Sequence, residues 1–223
     1  MKRELLKKLS GILAFYAIAV GVRAAAMQIA PPSSLGFIFL LRGWAEGLGP
    51  CLGALVAVIL FKRKFYCSIS GTSLISSVIS VAIPFFVCLV LDWKLSFMLL
   101  GVIFYSFLEE VGWRGYLQGE LNDKSEFSRS LIIGAMWFVW HLRFQLTLGS
   151  LIFLAVLILG SWGIGRIAKD THSLIACACF HTLYNFSIHG FFQFTPAVIC
   201  IYVAVVISWF VVWYTPWEKM LRK

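Results

Sequence analysis

The stretch SFLEEVGWRGYL (Ser106–Leu117) sets two adjacent glutamates and an arginine at the end of an otherwise apolar run. Everything upstream from Leu95 to Leu108 suits lipid or a packed core, so the charges need a reason. Glu110 and Arg114 are four residues apart and share one helical face. Glu109 points about 100° away from Glu110 at 3.6 residues per turn. Ionisable groups inside a spanning helix are expensive, and they face a cavity, a partner or a substrate path.

The rest of the chain explains why this run belongs in a membrane. Of 223 residues, 61% are hydrophobic and 13% charged, against roughly half and a quarter in a soluble domain. Apolar segments near the ~20 residues a bilayer demands fall at 9–30, 35–61, 70–91, 95–119, 128–147, 149–168, 171–193 and 195–214. Between them lie PPSS (31–34), LDWK (91–94), the polar GELNDKSEFSR (119–129), AKDTH and FTP. No alternating strand pattern recurs, which excludes a barrel. The expectation is an all-α polytopic bundle of about eight transmembrane helices, one integral domain over 1–223, enclosing a buried polar cavity.

A net charge of +9 would suit a nucleic acid, but the positions do not. Basic residues flank apolar runs at MKRELLKK, at KRK (62–64) and at EKMLRK near the C-terminus, without a basic stripe interleaved with aromatics. With the N-terminus inside, the inner segments collect Lys2, Arg3, Lys7, Lys8, Lys62, Arg63, Lys64, Lys124, Arg129, Arg166, Lys169, Lys219, Arg222 and Lys223. Outer loops keep Lys94 and Arg143. That asymmetry puts both termini in the cytoplasm, of a prokaryotic cell membrane by expectation. The basic start, the apolar stretch Gly11–Val22 and RAAAMQ also resemble a secretory signal. Arg23 before the alanines and the apolar continuation favour an uncleaved first helix. The six cysteines (Cys51, Cys67, Cys88, Cys177, Cys179, Cys200) lie mostly within apolar runs and read as small buried hydrophobes rather than a disulfide framework.

Two further stretches repeat the pattern of polar groups in the wrong solvent. WFVWH puts Trp137 and His141 on one face of a helix, and HTLYN does the same for His181 and Asn185. At ~1.5 Å per residue, Glu109 and Glu110 lie roughly 15 Å, His141 roughly 20 Å and His181 roughly 15 Å from the cytoplasmic ends of their helices. Carboxylate, imidazole and amide therefore meet at a similar depth. A buried carboxylate is a general base suited to neutral pH. One histidine can share the proton, and a second with an Asn amide can serve a developing oxyanion. Such a set describes amide hydrolysis by an activated water, with no covalent nucleophile. Arg42 and Glu46, four apart, read as a simple ion pair, and with Arg23 as a buried network. His172 and His189 fall near helix ends and receive no role.

Together EEVGWR (Glu109–Arg114), WFVWH and HTLYN resemble the three motifs of the CAAX-protease and bacteriocin-processing family (CPBP, or ABI) of intramembrane proteases. They cover 109–185, and the eight-helix layout extends the likeness to most of the chain. AEGLGP (Ala45–Pro50) is similar to a glycine-proline segment of the family's earlier helix. The resemblance implies a glutamate-dependent endopeptidase. In it Glu109 with His181 activates water, His141 with Asn185 stabilises the oxyanion, Glu110 supports, and Arg114 anchors the carboxylate pair. Trp137 stands where the family more often has Phe and keeps an aromatic face. Substrates implied are CaaX-type tails, leader peptides or peptide signals associated with the membrane.

Rival readings remain at this point. Each polar group taken alone is a structural ion pair, a core histidine or interhelical glue. By residue type Glu109, His141 and His181, with Cys177, would also make a zinc set. The lack of His-Glu-x-x-His and the two close carboxylates favour catalysis without metal or other cofactor. A serine site finds no convincing Gly-x-Ser, and the candidate aspartates Asp92, Asp123 and Asp170 are expected in loops. Other classes are a bacteriocin-immunity or scaffold protein using the same cavity, and a proton-coupled transporter, for which no internal repeat is found.

Overall fold

A computed structural model describes residues 2–29, 37–188 and 195–215. The PPSS break, His189 and the basic Lys219, Arg222 and Lys223 lie outside the described residues. Among the described residues eight helices follow one another: α1 (Lys2–Ala26), α2 (Phe37–Phe61), α3 (Leu74–Leu91), α4 (Trp93–Glu120), α5 (Glu126–Trp140), α6 (Leu148–Thr171), α7 (Leu174–Ile188) and α8 (Pro196–Tyr214). Among the described residues there is no strand, only an isolated bridge between Ser68 and Ser173.

Helix starts are written in short polar side chains that accept orphan backbone N–H groups. Ser73 caps α3, Asp92 caps α4, Ser125 caps α5, Thr147 caps α6 and Thr195, followed by Pro196, caps α8. His172 ends α6 in the left-handed region at φ 51°, and Ser173 Oγ then accepts from Ala176 N at the start of α7.

Six helices are long and apolar enough to cross a bilayer: α1, α2, α3, α4, α6 and α8. Their outward faces carry exposed Leu13, Ile59, Val90, Leu159 and Ile207, as a lipid-facing surface should. The other two are shorter among the described residues. α5 and α7 have 15 residues each, about 22 Å of rise. α5 stops at Trp140 rather than 147 because HLRFQLT brings His, Arg, Gln and Thr together, with Leu142 at φ 54° turning the chain away. Those two short helices supply the histidine-bearing motifs.

One end of the bundle gathers the basic residues with their acids. Lys8 meets Asp123 at 2.8 Å, Arg63 grips Glu120 with two N–H donors at 2.9 Å, and Lys169 and Arg166 reach Glu126. Tyr214 bonds Asp170 at 3.3 Å, so the start of α1 and the end of α8 share that end. Asp170 itself lies in the last turn of α6, a correction to its expected place in a loop; it is still at the bundle's rim.

α1 and α2 pack closely through small residues. A Cβ on Gly49 would come 2.6 Å from the Ala19 carbonyl oxygen, and one on Gly53 2.4 Å from that of Phe15. This small-xxx-small spacing allows backbones to touch in a membrane, where dispersion replaces the hydrophobic drive. α4 runs through the centre, with Trp113, Tyr116 and Leu117 fully buried. All six cysteines are free thiols; Cys67, Cys88, Cys177 and Cys179 are buried, Cys51 half-buried and Cys200 exposed.

Candidate active site

Just past Glu110 the central helix widens into a π-helix from Val111 to Leu117. Such insertions are rare and concentrate at functional sites. Its second residue, Gly112, rests on Pro50 of α2, whose ring carbon and carbonyl oxygen lie 2.5 and 2.7 Å from where a Cβ would stand. The AEGLGP segment thus has a physical role: its proline seats the helix that carries the glutamates.

The two glutamates part company at once. Glu110 is wholly enclosed, and its Oε1 accepts from Arg114 Nη1 at 3.1 Å. The same oxygen lies 2.8 Å from His181 Nδ1, although the ring's N–H axis is not aimed at it. Arg114, also wholly buried, places its guanidinium 4.8 Å over the Trp137 ring and extends Nη2 toward the Gly160 carbonyl at 3.4 Å. Glu109 instead borders a cavity of about 980 Å³. Its Oε2 accepts the indole N–H of Trp137 at 2.8 Å, and the Tyr105 hydroxyl also reaches the carboxylate.

The histidines arrive from the two short helices. His141 follows the last turn of α5, and its Nδ1 lies 2.7 Å from the Trp137 carbonyl oxygen. Its ring is wedged edge-on between Trp140 and Phe153. His181, on α7, stands edge-on to Trp137 with centroids 4.9 Å apart. One turn later Asn185 donates through Nδ2 to Ser106 Oγ at 3.3 Å, and Thr182 donates to the same oxygen at 3.1 Å. Glu109, Trp137, His141, His181 and Asn185 all line the one cavity, while Glu110 and Arg114 lie behind its wall.

Three contacts depart from what the sequence suggested. Arg114 anchors Glu110 alone, not the carboxylate pair; Trp137 holds Glu109. His181 touches Glu110 rather than Glu109. Trp137 is more than an aromatic face, because its N–H makes a bond that phenylalanine could not. Ser106 and Thr182, which orient Asn185, went unnoticed; a serine in an apolar helix is a weak signal, though Ser106 lies one turn before Glu110. The Arg42–Glu46 pair is present at 3.1 Å and is joined by Arg23 bonding the other Glu46 oxygen.

The zinc alternative can be set against the same geometry. Among the described residues no three His, Cys, Asp or Glu side chains are gathered as a ligand set. Glu109 has one oxygen committed to Trp137, and Cys177 is buried in the packed core. Of the four residues named for zinc, Cys177 stands apart from the cavity that Glu109, His141 and His181 line.

Residues 91–187 match a family model described as type II CAAX prenyl endopeptidase Rce1-like. The match runs from the start of α4 through α7 and includes all three motifs. No curated protein matches the chain.

Proposed function

On the likeness of residues 91–187 to the type II CAAX prenyl endopeptidase Rce1-like family, we propose that the chain is a protease that hydrolyses a peptide bond of a membrane-associated protein or peptide with water activated by Glu109. CaaX-like tails, leader peptides and peptide signals are the substrates this reading admits. The whole chain acts as one integral membrane domain, with both termini in the cytoplasm of a prokaryotic cell and no metal in the reaction.

One observation carries the reading: of the two adjacent glutamates Glu109 is the one that borders the cavity, and two imidazoles and an amide border it too. With Trp137 holding Oε2 and Tyr105 beside the carboxylate, lone pairs remain on Glu109 to take a proton from water. That water attacks the scissile carbonyl carbon as Glu109 takes its proton. The carbonyl π pair moves onto oxygen, and the resulting oxyanion collects hydrogen bonds. Collapse re-forms the carbonyl and breaks the C–N bond as the proton passes from Glu109 to the departing amine. Atoms and charge balance with water as the only co-reactant.

Two contacts favour exchanging the histidine roles implied by the resemblance. His141 spends Nδ1–H on the Trp137 carbonyl, so its neutral ring presents Nε2 as an acceptor, suited to hold the attacking water beside Glu109. His181 is assigned to the oxyanion, donating from Nε2–H while Glu110 flanks the Nδ1 side of its ring. Asn185, on the same face of α7, offers its second N–H to that oxygen.

Comparing membrane peptidomes from cells with wild-type and Glu109→Gln protein tests the assignment. Peptides cut only in the wild type identify the substrate. Identical peptidomes favour the scaffold or immunity class instead.

A further inference from the structure

The cavity that holds Glu109 and His141 is also bordered by Arg23, Arg42, Arg143 and Glu46. Arg23 on α1 and Arg42 on α2 both bond Glu46, one to each carboxylate oxygen. Arg143, in the segment after α5, borders the same cavity and makes no ion pair among the described residues. Three guanidiniums facing one carboxylate leave a surplus of two positive charges.

Arg23 makes that surplus costly. It is only 4% exposed, lies 4.4 Å over the Trp140 ring, and its Nε is buried without a partner among the described residues. A buried charge with unsatisfied donors carries a desolvation penalty that an anion of matching shape relieves. Planar N–H forks match the two oxygens of a carboxylate. The approach is walled by apolar Phe153, Val156 and Leu157, which strengthens charge pairing by keeping the local dielectric low.

Register gives the distance. Phe15 of α1 packs against Trp113 and Tyr116 of α4. In these antiparallel helices Arg23 lies about two turns beyond that contact and Glu109 about one, so Arg23 sits roughly one turn deeper. An extended peptide, rising ~3.3–3.6 Å per residue, would cover that interval with only a few residues.

We propose that Arg23, Arg42 and Arg143 form a carboxylate-binding subsite that takes the free C-terminal carboxylate of the peptide substrate. It rests on the protease reading, which puts the peptide in this cavity. Glu46 holds two of the guanidiniums in place while the subsite is empty.

The test measures binding to full-length Glu109→Gln protein in lipid nanodiscs, so that the result is independent of hydrolysis. Three probes share one acetyl-capped peptide ending in aliphatic residues: the free acid, the C-terminal amide, and an amide carrying one internal aspartate. The free acid should bind about tenfold more tightly than the plain amide. Adding Arg42→Gln or Arg143→Gln should reduce that preference to about twofold or less. Arg143 is exposed and unpaired among the described residues, so its replacement leaves the fold intact. If the aspartyl amide binds as tightly as the free acid, the anion is a side-chain carboxylate and the C-terminal assignment is overturned. Equal binding of acid and plain amide, no binding of any probe, or a preference unchanged in both arginine variants overturns the subsite. Failure of the protease reading looks different: wild-type protein would leave cleavable peptides as intact as Glu109→Gln does.

Discussion

Glu109 and Glu110 are neighbours in the chain, yet one borders an open cavity and the other is sealed between Arg114 and His181. The consequence is two opposite phenotypes from the same conservative change. Glu110→Gln strands the fully buried Arg114 without its counter-charge, a loss of about 3–5 kcal/mol. A thermal unfolding scan in detergent should show a clearly lowered midpoint for Glu110→Gln. Glu109→Gln, whose amide oxygen can still accept from Trp137, should melt with the wild type.

Trp137→Phe removes the indole N–H from Glu109 while keeping an aromatic ring under Arg114. A hydrogen bond to a charged group is worth about 1.5–3 kcal/mol, so kcat should fall roughly ten- to a hundredfold. The measurement is steady-state cleavage by purified protein, with KM changed far less than kcat. An unaltered kcat would mean that the indole bond does not orient the base.

Ser106→Ala leaves Asn185 and Thr182 without their common acceptor. A neutral hydrogen bond contributes about 1 kcal/mol, so the expected loss is about fivefold in kcat, again with KM nearly constant. A purely structural role for Ser106 would lower the melting midpoint and leave the kcat of the folded fraction alone.

Metal dependence has its own check. Chelator treatment of the purified protein should leave turnover unchanged, with elemental analysis finding no stoichiometric zinc. Activity lost on chelation and restored by zinc would transfer water activation from Glu109 to a metal.

How far the sequence carries the structure can be judged residue by residue. Eight apolar segments became eight helices because hydropathy and capping residues act locally; Asp92, Ser125 and Thr147 mark their starts in plain text. The expectation that Glu109, His141 and His181 share one cavity can be set beside their common lining of it. Partnerships were less legible. Which of two adjacent carboxylates meets Arg114, and which meets Trp137, depends on how α4 is rotated. The π-helical stretch and the Gly112–Pro50 contact set that rotation, and neither has a periodic signature. α5 proved shorter than drawn because its end is set by the backbone turn at Leu142. Arg143 reads from sequence only as an ionisable group near the end of its span, and the turn after Trp140 brings it back to the cavity.

The most direct measurement is cleavage of a membrane-embedded peptide by purified wild-type and Glu109→Gln protein, both confirmed folded by their unfolding midpoints. Loss of the general base should slow turnover by roughly 10²–10⁴-fold. A Glu109→Gln protein that cuts within a few-fold of the wild-type rate would contradict the account.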